Sequence, residues 1–196
     1  MLKPSEGCGS SGVRLLRDQA AKQKYVKRSS RSFHPIDALK NIIKSYVRHP
    51  YCRKSNLRRK FVVQNFIPNL QNDYKILIYA YKYYVLFRRN RKNDFRASGS
   101  GIFEYKENLP DGLLDFAEKV FKSFATPYLS LDVAYNGNEF FLLEFQFMQF
   151  GTYTLERSPF YFVREEGRWK RIQEKSILEK EFVRSVLLYL QKVDLA

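Results

Sequence analysis

Two pairs of strand-like segments, each joined by a short turn, are the feature that most constrains the fold of this chain. Residues 74–80 and 83–89 are apolar and rich in β-forming side chains, and a tight turn separates them. Residues 129–135 and 139–147 have the same character and flank Asn136–Gly137, a dipeptide typical of hairpin turns. The sequence therefore predicts two antiparallel hairpins.

Segments with helical periodicity lie between and beside these hairpins. Residues 36–48 and 111–124 each place apolar side chains on one face, as amphipathic helices do. Ser176 is a suitable N-cap for a last helix. The predicted buried stripe of that helix consists of Phe182, Val183, Val186, Leu187 and Leu190. Antiparallel hairpins with packing helices indicate the α+β class.

Length and composition limit the classes of function that need to be considered. The chain has 196 residues, of which 44% are hydrophobic, enough for one or two lobes with a real core. No apolar run approaches the roughly 20 residues of a membrane helix, and the N-terminus lacks a signal-peptide pattern. The two cysteines, Cys8 and Cys52, do not form a disulfide framework. We therefore expect a cytoplasmic protein with no membrane partner.

The formal net charge of +15 is concentrated near the N-terminus. Residues 14–60 carry 15 Lys or Arg against only Asp18 and Asp37. Such a segment could hold a polyanion, or it could be a solvated basic face. No nucleic-acid-binding motif accompanies the charge, so the solvated face is favoured and nucleic acid is an unlikely partner.

Polar residues interrupt the two strands of the second hairpin. Asp132 lies in the first strand, and Glu144 and Gln146 lie in the second. A lone buried carboxylate is costly, and a divalent cation with oxygen ligands is one partner that offsets the cost. A three-residue loop at positions 136–138 would pair residue 132 with residue 142 and place Asp132 diagonally beside Glu144. The alternative is that all three are ordinary exposed strand residues.

Basic residues recur where the central strands end and loops begin. They are Lys75, Arg88, Arg89 and Arg96, and Arg96 is followed by the small residues 97–101. Arginine offers a planar fork of donors suited to phosphate and carboxylate groups. The alternative is surface charge beside a flexible loop.

A glycine- and serine-rich stretch follows Lys3–Pro4 at the end of a short predicted strand. Residues 5–12 supply backbone N–H groups and Ser hydroxyls that can surround phosphates, with Lys3 as a point charge. The spacing matches neither the P-loop pattern nor the dinucleotide-binding pattern.

The order of these motifs resembles the ATP-grasp superfamily, especially its carboxylate–amine ligase branch, which includes glutamate ligases that act on a ribosomal protein. The resemblance covers roughly residues 1–150. In chain order, the matching segments are Lys3–Pro4 with its glycine-rich loop, Val63–Ile67 as a hinge strand, Asp73-Tyr74-Lys75, Arg88 or Arg89, Asp94-Phe95-Arg96, Asp132, and Glu144-Phe145-Gln146.

The resemblance implies an ATP-grasp fold, in which two α+β lobes with antiparallel sheets hold ATP between them. Residues 1–67 would form the small lid lobe, with the glycine-rich loop, a basic helical segment and the hinge strand. Residues 68–196 would form the large lobe, with the metal-binding strands and the C-terminal helix. The implied activity is Mg-dependent and ADP-forming: a carboxylate is activated as an acyl phosphate and then attacked by an amine or similar nucleophile.

The family pattern also implies a role for each matching residue. ATP would be bound by Lys3, Gly9, Ser10, Ser11, Gln64, Asn65, Phe66, Ile67, Asp73 and Lys75. Arg88 and Arg96 would act in catalysis by holding the transferred phosphate or the acyl phosphate. Mg²⁺ or Mn²⁺ would be bound by Asp132, Glu144 and Gln146. Three positions depart from the family: Asn65 replaces Glu, Lys75 replaces Arg, and Gln146 replaces Asn.

Members of this family carry an N-terminal α/β domain before the lid strand, whereas this sequence begins at that strand. We expect another chain to supply the domain, or the sequence to be a fragment or a shortened gene product. Two other readings stay open. One is a nucleotide-binding remnant without catalysis, and the other is a basic nucleic-acid-binding module.

Overall fold

The computed structural model describes residues 1–4, 13–30, 35–47, 60–68, 70–91, 100–148 and 150–194. The chain divides into two compact units, Met1–Pro68 and Asn69–Ala196. The sequence prediction placed a lobe boundary between residues 67 and 68. The predicted phosphate-loop residues Gly9, Ser10 and Ser11, and the predicted catalytic Arg96, lie outside the described residues.

The first unit contains a small antiparallel sheet and two helices. Its elements are β1 (Leu2–Pro4), α1 (Gln19–Ser30), α2 (Pro35–Val47) and β2 (Phe61–Val63). β1 pairs with β2 in a register that sets Leu2 opposite Val63. The terminal amine of Met1 donates to the Gln64 carbonyl at 2.7 Å, and the Gln64 amide donates to the Met1 carbonyl at 2.8 Å. Two chain segments more than 60 residues apart are thereby joined at the end of the sheet.

The second unit is built on one seven-stranded antiparallel sheet. Its strands are β3 (Asn72–Tyr79), β4 (Lys82–Arg89), β5 (Phe103–Glu104), β6 (Tyr128–Tyr135), β7 (Phe140–Gln146), β8 (Tyr161–Glu165) and β9 (Arg168–Ile172). The spatial order is β7-β6-β3-β4-β8-β9, and β5 also pairs with β4. The helices are α3 (Leu113–Lys122), α4 (Tyr153–Glu156) and α5 (Leu178–Asp194). The predicted α+β class with antiparallel sheets is confirmed.

Alternation along the strands gives the large sheet two buried faces. One face packs against α3, and its core includes Ile76, Val85, Leu131, Leu113 and Ala117. The other face carries a second core, whose members are Leu77, Tyr79, Tyr84, Leu155, Tyr161 and Val163. Strands buried on both faces explain why the sequence shows continuous apolar runs here rather than strict alternation.

The C-terminal helix α5 contradicts the predicted buried stripe. Phe182, Val183, Leu187 and Leu190 are exposed, and Val186 is only partly buried. The buried positions on α5 are instead polar, namely Glu181 and Ser185. Glu181 is held by Lys82, whose Nζ donates to its carboxylate at 2.7 Å, and Phe182 keeps a ring contact with Tyr128 of the sheet, with ring centres 5.0 Å apart. No helix of the described residues is both long and apolar enough to cross a membrane.

Candidate functional site

Polar residues occupy one end of the sheet face that carries the Tyr79–Tyr84 core. In the β3–β4 register Asp73 faces Arg88, and in the β3–β6 register Lys75 faces Asp132. Directly opposed residues of an antiparallel pair lie on the same face, so all four share it. Leu77, two residues along β3 from Lys75, begins the apolar part of this face. We call Asp73, Lys75, Arg88 and Asp132 the charge quartet.

Short ion pairs connect the charge quartet. Arg88 binds Asp73 with two donors, Nε to Oδ1 at 2.6 Å and Nη2 to Oδ2 at 2.8 Å. The same Nη2 lies 3.0 Å from Asp132 Oδ2. Lys75 Nζ lies 3.6 Å from Asp132 Oδ1 and donates to Ser130 Oγ at 3.0 Å. Two cations therefore balance two carboxylates in a region largely withdrawn from water.

Burial and pairing act in opposite directions on the pKa values of this site. Removal from water raises the pKa of Asp73 from 3.8 to about 6, although the charge and hydrogen bonds of Arg88 oppose the rise. Burial alone would lower the pKa of Arg88, but the carboxylates of Asp132 and Asp73 outweigh it and raise that pKa. Arg88 is thus a permanent cation, whereas the raised pKa of Asp73, about 6, allows that carboxyl to take up a proton in mildly acidic solution.

Asp132 and Glu144 share one face of the β6–β7 hairpin, but the loop and the strand pairing differ from the predicted ones. Tyr135 pairs with Phe140, so four residues separate the strands, and the predicted three-residue loop with its pairing of residues 132 and 142 is wrong. Asn136 closes this loop because its Oδ1 accepts the amides of Asn138 and Glu139, at 2.9 and 2.8 Å. An even loop without irregularity would set residue 143, rather than Glu144, opposite Asp132.

A β-bulge shifts the pairing of β6 and β7 by one residue between Asp132 and Val133. The partner of Val133 is Leu142, whereas the partner of the preceding Asp132 is Glu144, so Leu143 is the extra residue on β7. Ser130 then faces Gln146. The three residues of the predicted metal site therefore share one face of two neighbouring strands, with Glu144 directly opposite Asp132.

The side chains at this position could supply only part of the coordination shell of Mg²⁺. Asp132 Oδ1 is buried and accepts no hydrogen bond from any described residue, although the Lys75 ammonium lies 3.6 Å from it, so a metal ion bound there would share this oxygen with Lys75. Across the described ranges, no group of three or more His, Cys, Asp or Glu side chains could hold a metal ion. Mg²⁺ commonly takes only one or two protein carboxylates together with substrate phosphates and water, so Asp132, Glu144 and the amide of Gln146 fit that role.

The other predicted residues lie in two places. Lys3 pairs with Val62 in the small sheet of the first unit. Gln64, Asn65, Phe66 and Ile67 follow β2 directly in that unit, without regular secondary structure. Asp73, Lys75 and Arg88 lie together in the second unit, as described above.

Arg89, the alternative to Arg88 in the family pattern, differs from it in environment. It is exposed at the end of β4, and its guanidinium carbon lies 5.8 Å from the centre of the Phe87 ring. Because side chains alternate along a strand, Arg88 and Arg89 point to opposite faces, and only Arg88 belongs to the charge quartet.

The sequence analysis missed Ser130, which binds Lys75. Ser130 precedes Asp132 by two positions, so alternation along a strand places both on one face. A polar residue at that spacing in an apolar strand is the signal that could have revealed it. The mutual neutralisation of Lys75, Arg88, Asp73 and Asp132 was also missed, because it depends on the pairing of three strands.

Comparisons with known proteins identify no relative. No protein-family model, no curated protein and no solved structure matches this chain.

Proposed function

We propose that this chain binds Mg-ATP and takes part in ADP-forming ligation, in which a carboxylate is activated as an acyl phosphate. One observation carries the proposal: a single sheet face gathers Asp132, Glu144 and Gln146 beside the buried cations Lys75 and Arg88. The motif order that resembles ATP-grasp ligases supports the same assignment. Carboxylates beside fixed cations are the groups that phosphoryl transfer requires.

Each residue has a distinct role in this proposal. Asp132, Glu144 and Gln146 would hold Mg²⁺ or Mn²⁺, which neutralises phosphate charge when bound. Lys75 and Arg88 would supply positive charge to the transferred phosphoryl group. Asp73 binds Arg88 through two hydrogen bonds and fixes its plane, so the guanidinium need not reorganise during the reaction.

The chemistry needs no protein nucleophile. An oxygen of the substrate carboxylate forms a bond to the γ-phosphorus of ATP while the bond to the bridging oxygen breaks, and ADP leaves. The amine then attacks the acyl carbon of the acyl phosphate, inorganic phosphate leaves, and the amine loses a proton. Positioning and charge neutralisation would supply most of the rate enhancement. Lys3 and residues 64–67 stay predicted nucleotide contacts on the strength of the resemblance.

Calorimetry of ATP binding with and without Mg²⁺ tests the proposal. We expect Mg-dependent binding by the wild type and at least about tenfold weaker binding by Glu144→Ala. Glu139→Ala is the matched control, because Glu139 is an exposed glutamate in the loop of the same hairpin. If the folded wild type binds no nucleotide, or if both variants lose affinity equally, the assignment of the site is wrong.

Turnover separates a ligase from a nucleotide-binding remnant. A ligase releases ADP only when a carboxylate and an amine are supplied, so a panel of carboxylates should reveal a dependence. ATP binding without any carboxylate-dependent release of ADP would favour the non-catalytic alternative.

A further inference from the structure

Asp132 has a cation at each of its two carboxylate oxygens, and the two cations are held in different ways. Arg88 Nη2 lies 3.0 Å from Oδ2, and the same guanidinium is bound to Asp73 through two hydrogen bonds. Lys75 Nζ lies 3.6 Å from Oδ1 and donates to Ser130 Oγ at 3.0 Å. Arg88 is therefore fixed by two carboxylates, whereas the hydrogen bond that holds Lys75 goes to a neutral hydroxyl.

The contact between Lys75 and Asp132 differs from that of a hydrogen-bonded ion pair. Asp132 Oδ1 is buried and accepts no hydrogen bond from any residue in the described part of the chain. Lys82, which lies on the same face of the sheet, shows the alternative, because its Nζ donates directly to the Glu181 carboxylate at 2.7 Å. Lys75 thus neutralises Oδ1 from a distance and leaves its lone pairs without a donor.

A metal ion bound to Asp132 Oδ1 would be a close neighbour of the Lys75 ammonium. Glu144 lies directly opposite Asp132, and Gln146 lies directly opposite Ser130, so the other two predicted ligands adjoin the same position. Like charges repel strongly in a region that is largely withdrawn from water. The ammonium must therefore leave Oδ1 when a metal ion binds, and it needs another anion as its partner. The flexible four-carbon stem of lysine allows this without backbone movement, and a phosphate oxygen is a suitable anion.

We propose that Lys75 is a displaceable counter-ion, which keeps divalent metal away from Asp132 until the phosphates of the nucleotide draw its ammonium aside. Ser130 is then a positioning residue that holds the ammonium beside Asp132 in the absence of nucleotide. Metal and nucleotide bind cooperatively, because each favours the position of Lys75 that admits the other. The inference rests on the proposed function, since it takes Asp132 as a metal ligand and ATP as the nucleotide.

Mn²⁺ binding, followed by the loss of the electron paramagnetic resonance signal of the free aqueous ion, tests the inference without turnover. Lys75→Gln removes the charge and keeps an N–H donor, and Lys75→Met removes the charge at nearly the same length. Either variant, once circular dichroism shows that it is folded, should bind free Mn²⁺ at least about tenfold more tightly than the wild type. With a saturating non-hydrolysable ATP analogue the order should reverse, because the phosphates of the analogue lose a cation in the variants.

Two further variants show whether the charge at this position is the cause. Lys75→Arg keeps the positive charge and should exclude free Mn²⁺ as the wild type does. Lys170→Met is the matched control, because Lys170 is an exposed lysine on β9 of the same sheet, and its loss should leave Mn²⁺ binding unchanged. Tight binding of free Mn²⁺ by Lys75→Arg, or an equal gain in Lys170→Met, would overturn the proposal.

The remaining outcomes separate the counter-ion role from the metal site itself. If the wild type binds free Mn²⁺ as tightly as the neutral variants and also binds it with the analogue, the counter-ion role is wrong and the metal site stands. A dissociation constant of the wild type for free Mn²⁺ below about 10 μM has the same meaning, even if no variant folds. If none of the proteins binds Mn²⁺ with or without the analogue, the metal site is wrong, and the counter-ion role with it.

Discussion

Arg88 lies between two carboxylates, one of which, Asp132, also pairs with Lys75. It binds Asp73 through two donors and Asp132 through one, and its side chain is largely withdrawn from water. A buried charge that loses its partner is much more costly than a surface charge that does the same. The stability of the second unit should therefore depend on this residue irrespective of any ligand.

Arg88→Met should lower the free energy of unfolding by about 3–5 kcal/mol, because the buried carboxylate of Asp73 loses its cation and the half-buried Asp132 keeps only Lys75. Urea titration at neutral pH measures the change. Arg89→Met is the matched control, and its exposed side chain should contribute less than about 0.5 kcal/mol. Equal effects of the two substitutions would mean that the buried ion pairs contribute nothing to stability.

Asp73 should titrate with a midpoint near 6, because burial raises its pKa to about 6 from 3.8. The folded state then binds this proton more tightly than the unfolded state. The stabilisation is complete below pH 3.8 and is lost as the pH rises to about 6, by about 3 kcal/mol. Carboxyl ¹³C shifts measure the midpoint, and the difference between wild type and Asp73→Asn in unfolding free energy measures the loss. A midpoint below 3.8 would show that the attraction of Arg88 exceeds the effect of burial.

At the scale of the element, the β6–β7 hairpin shows how much of the site the sequence can predict. Both strands follow from alternation and from the Asn136–Gly137 turn signal, whereas the shared face of Asp132 and Glu144 was predicted from a three-residue loop that the structure does not have. Loop length and pairing do not follow from these signals, because they depend on the Asn136 side chain and on the bulge at Leu143. The predicted loop is one residue too short, and the prediction lacks the extra residue of the bulge on β7. These two errors cancel, so Asp132 and Glu144 still lie on the same face of the sheet.

Asn136→Ala should lower the free energy of unfolding by about 1 kcal/mol, because two backbone amides in an exposed turn lose their common acceptor. Asn138→Ala is the control in the same loop, and its effect should be close to zero. Chemical denaturation of both variants provides the comparison. If Asn138→Ala is the more costly change, the Asn136 side chain does not hold the turn.

The α5 error has a different origin. Helical periodicity reveals an apolar stripe, but it does not reveal which side of the helix meets the sheet. Here Lys82, 99 residues before Glu181 in the chain, binds Glu181 on the side of the helix that meets the sheet. No local sequence pattern contains that information. Helical periodicity therefore identifies which side chains of a helix form an apolar stripe. Whether that stripe packs against the sheet of the same chain depends on tertiary contacts.

At the scale of the whole molecule, the two units differ in charge and in core. Residues 1–68 carry 16 Lys or Arg against 3 Asp or Glu, whereas the second unit is nearly neutral. The basic residues of α1, Lys22, Lys24, Lys27 and Arg28, are all exposed, as the predicted solvated face requires. Among the described residues of the first unit, Leu2 alone is buried, while both faces of β3 and β4 are covered. Few buried apolar contacts mean a low free energy of local opening.

Hydrogen exchange should therefore divide the molecule at the boundary between the units. Backbone amides of α1 and α2 should exchange with protection factors at least about 100-fold below those of β3 and β4, because their opening does not require disruption of the large core. Mass spectrometry of peptides that cover each element, referenced to the unfolded chain, makes the measurement. The β6–β7 hairpin, at the edge of the sheet, should fall between these extremes. Protection of α2 equal to that of β3 would indicate that the first unit opens only when the second unfolds, and that its described surfaces are covered in solution.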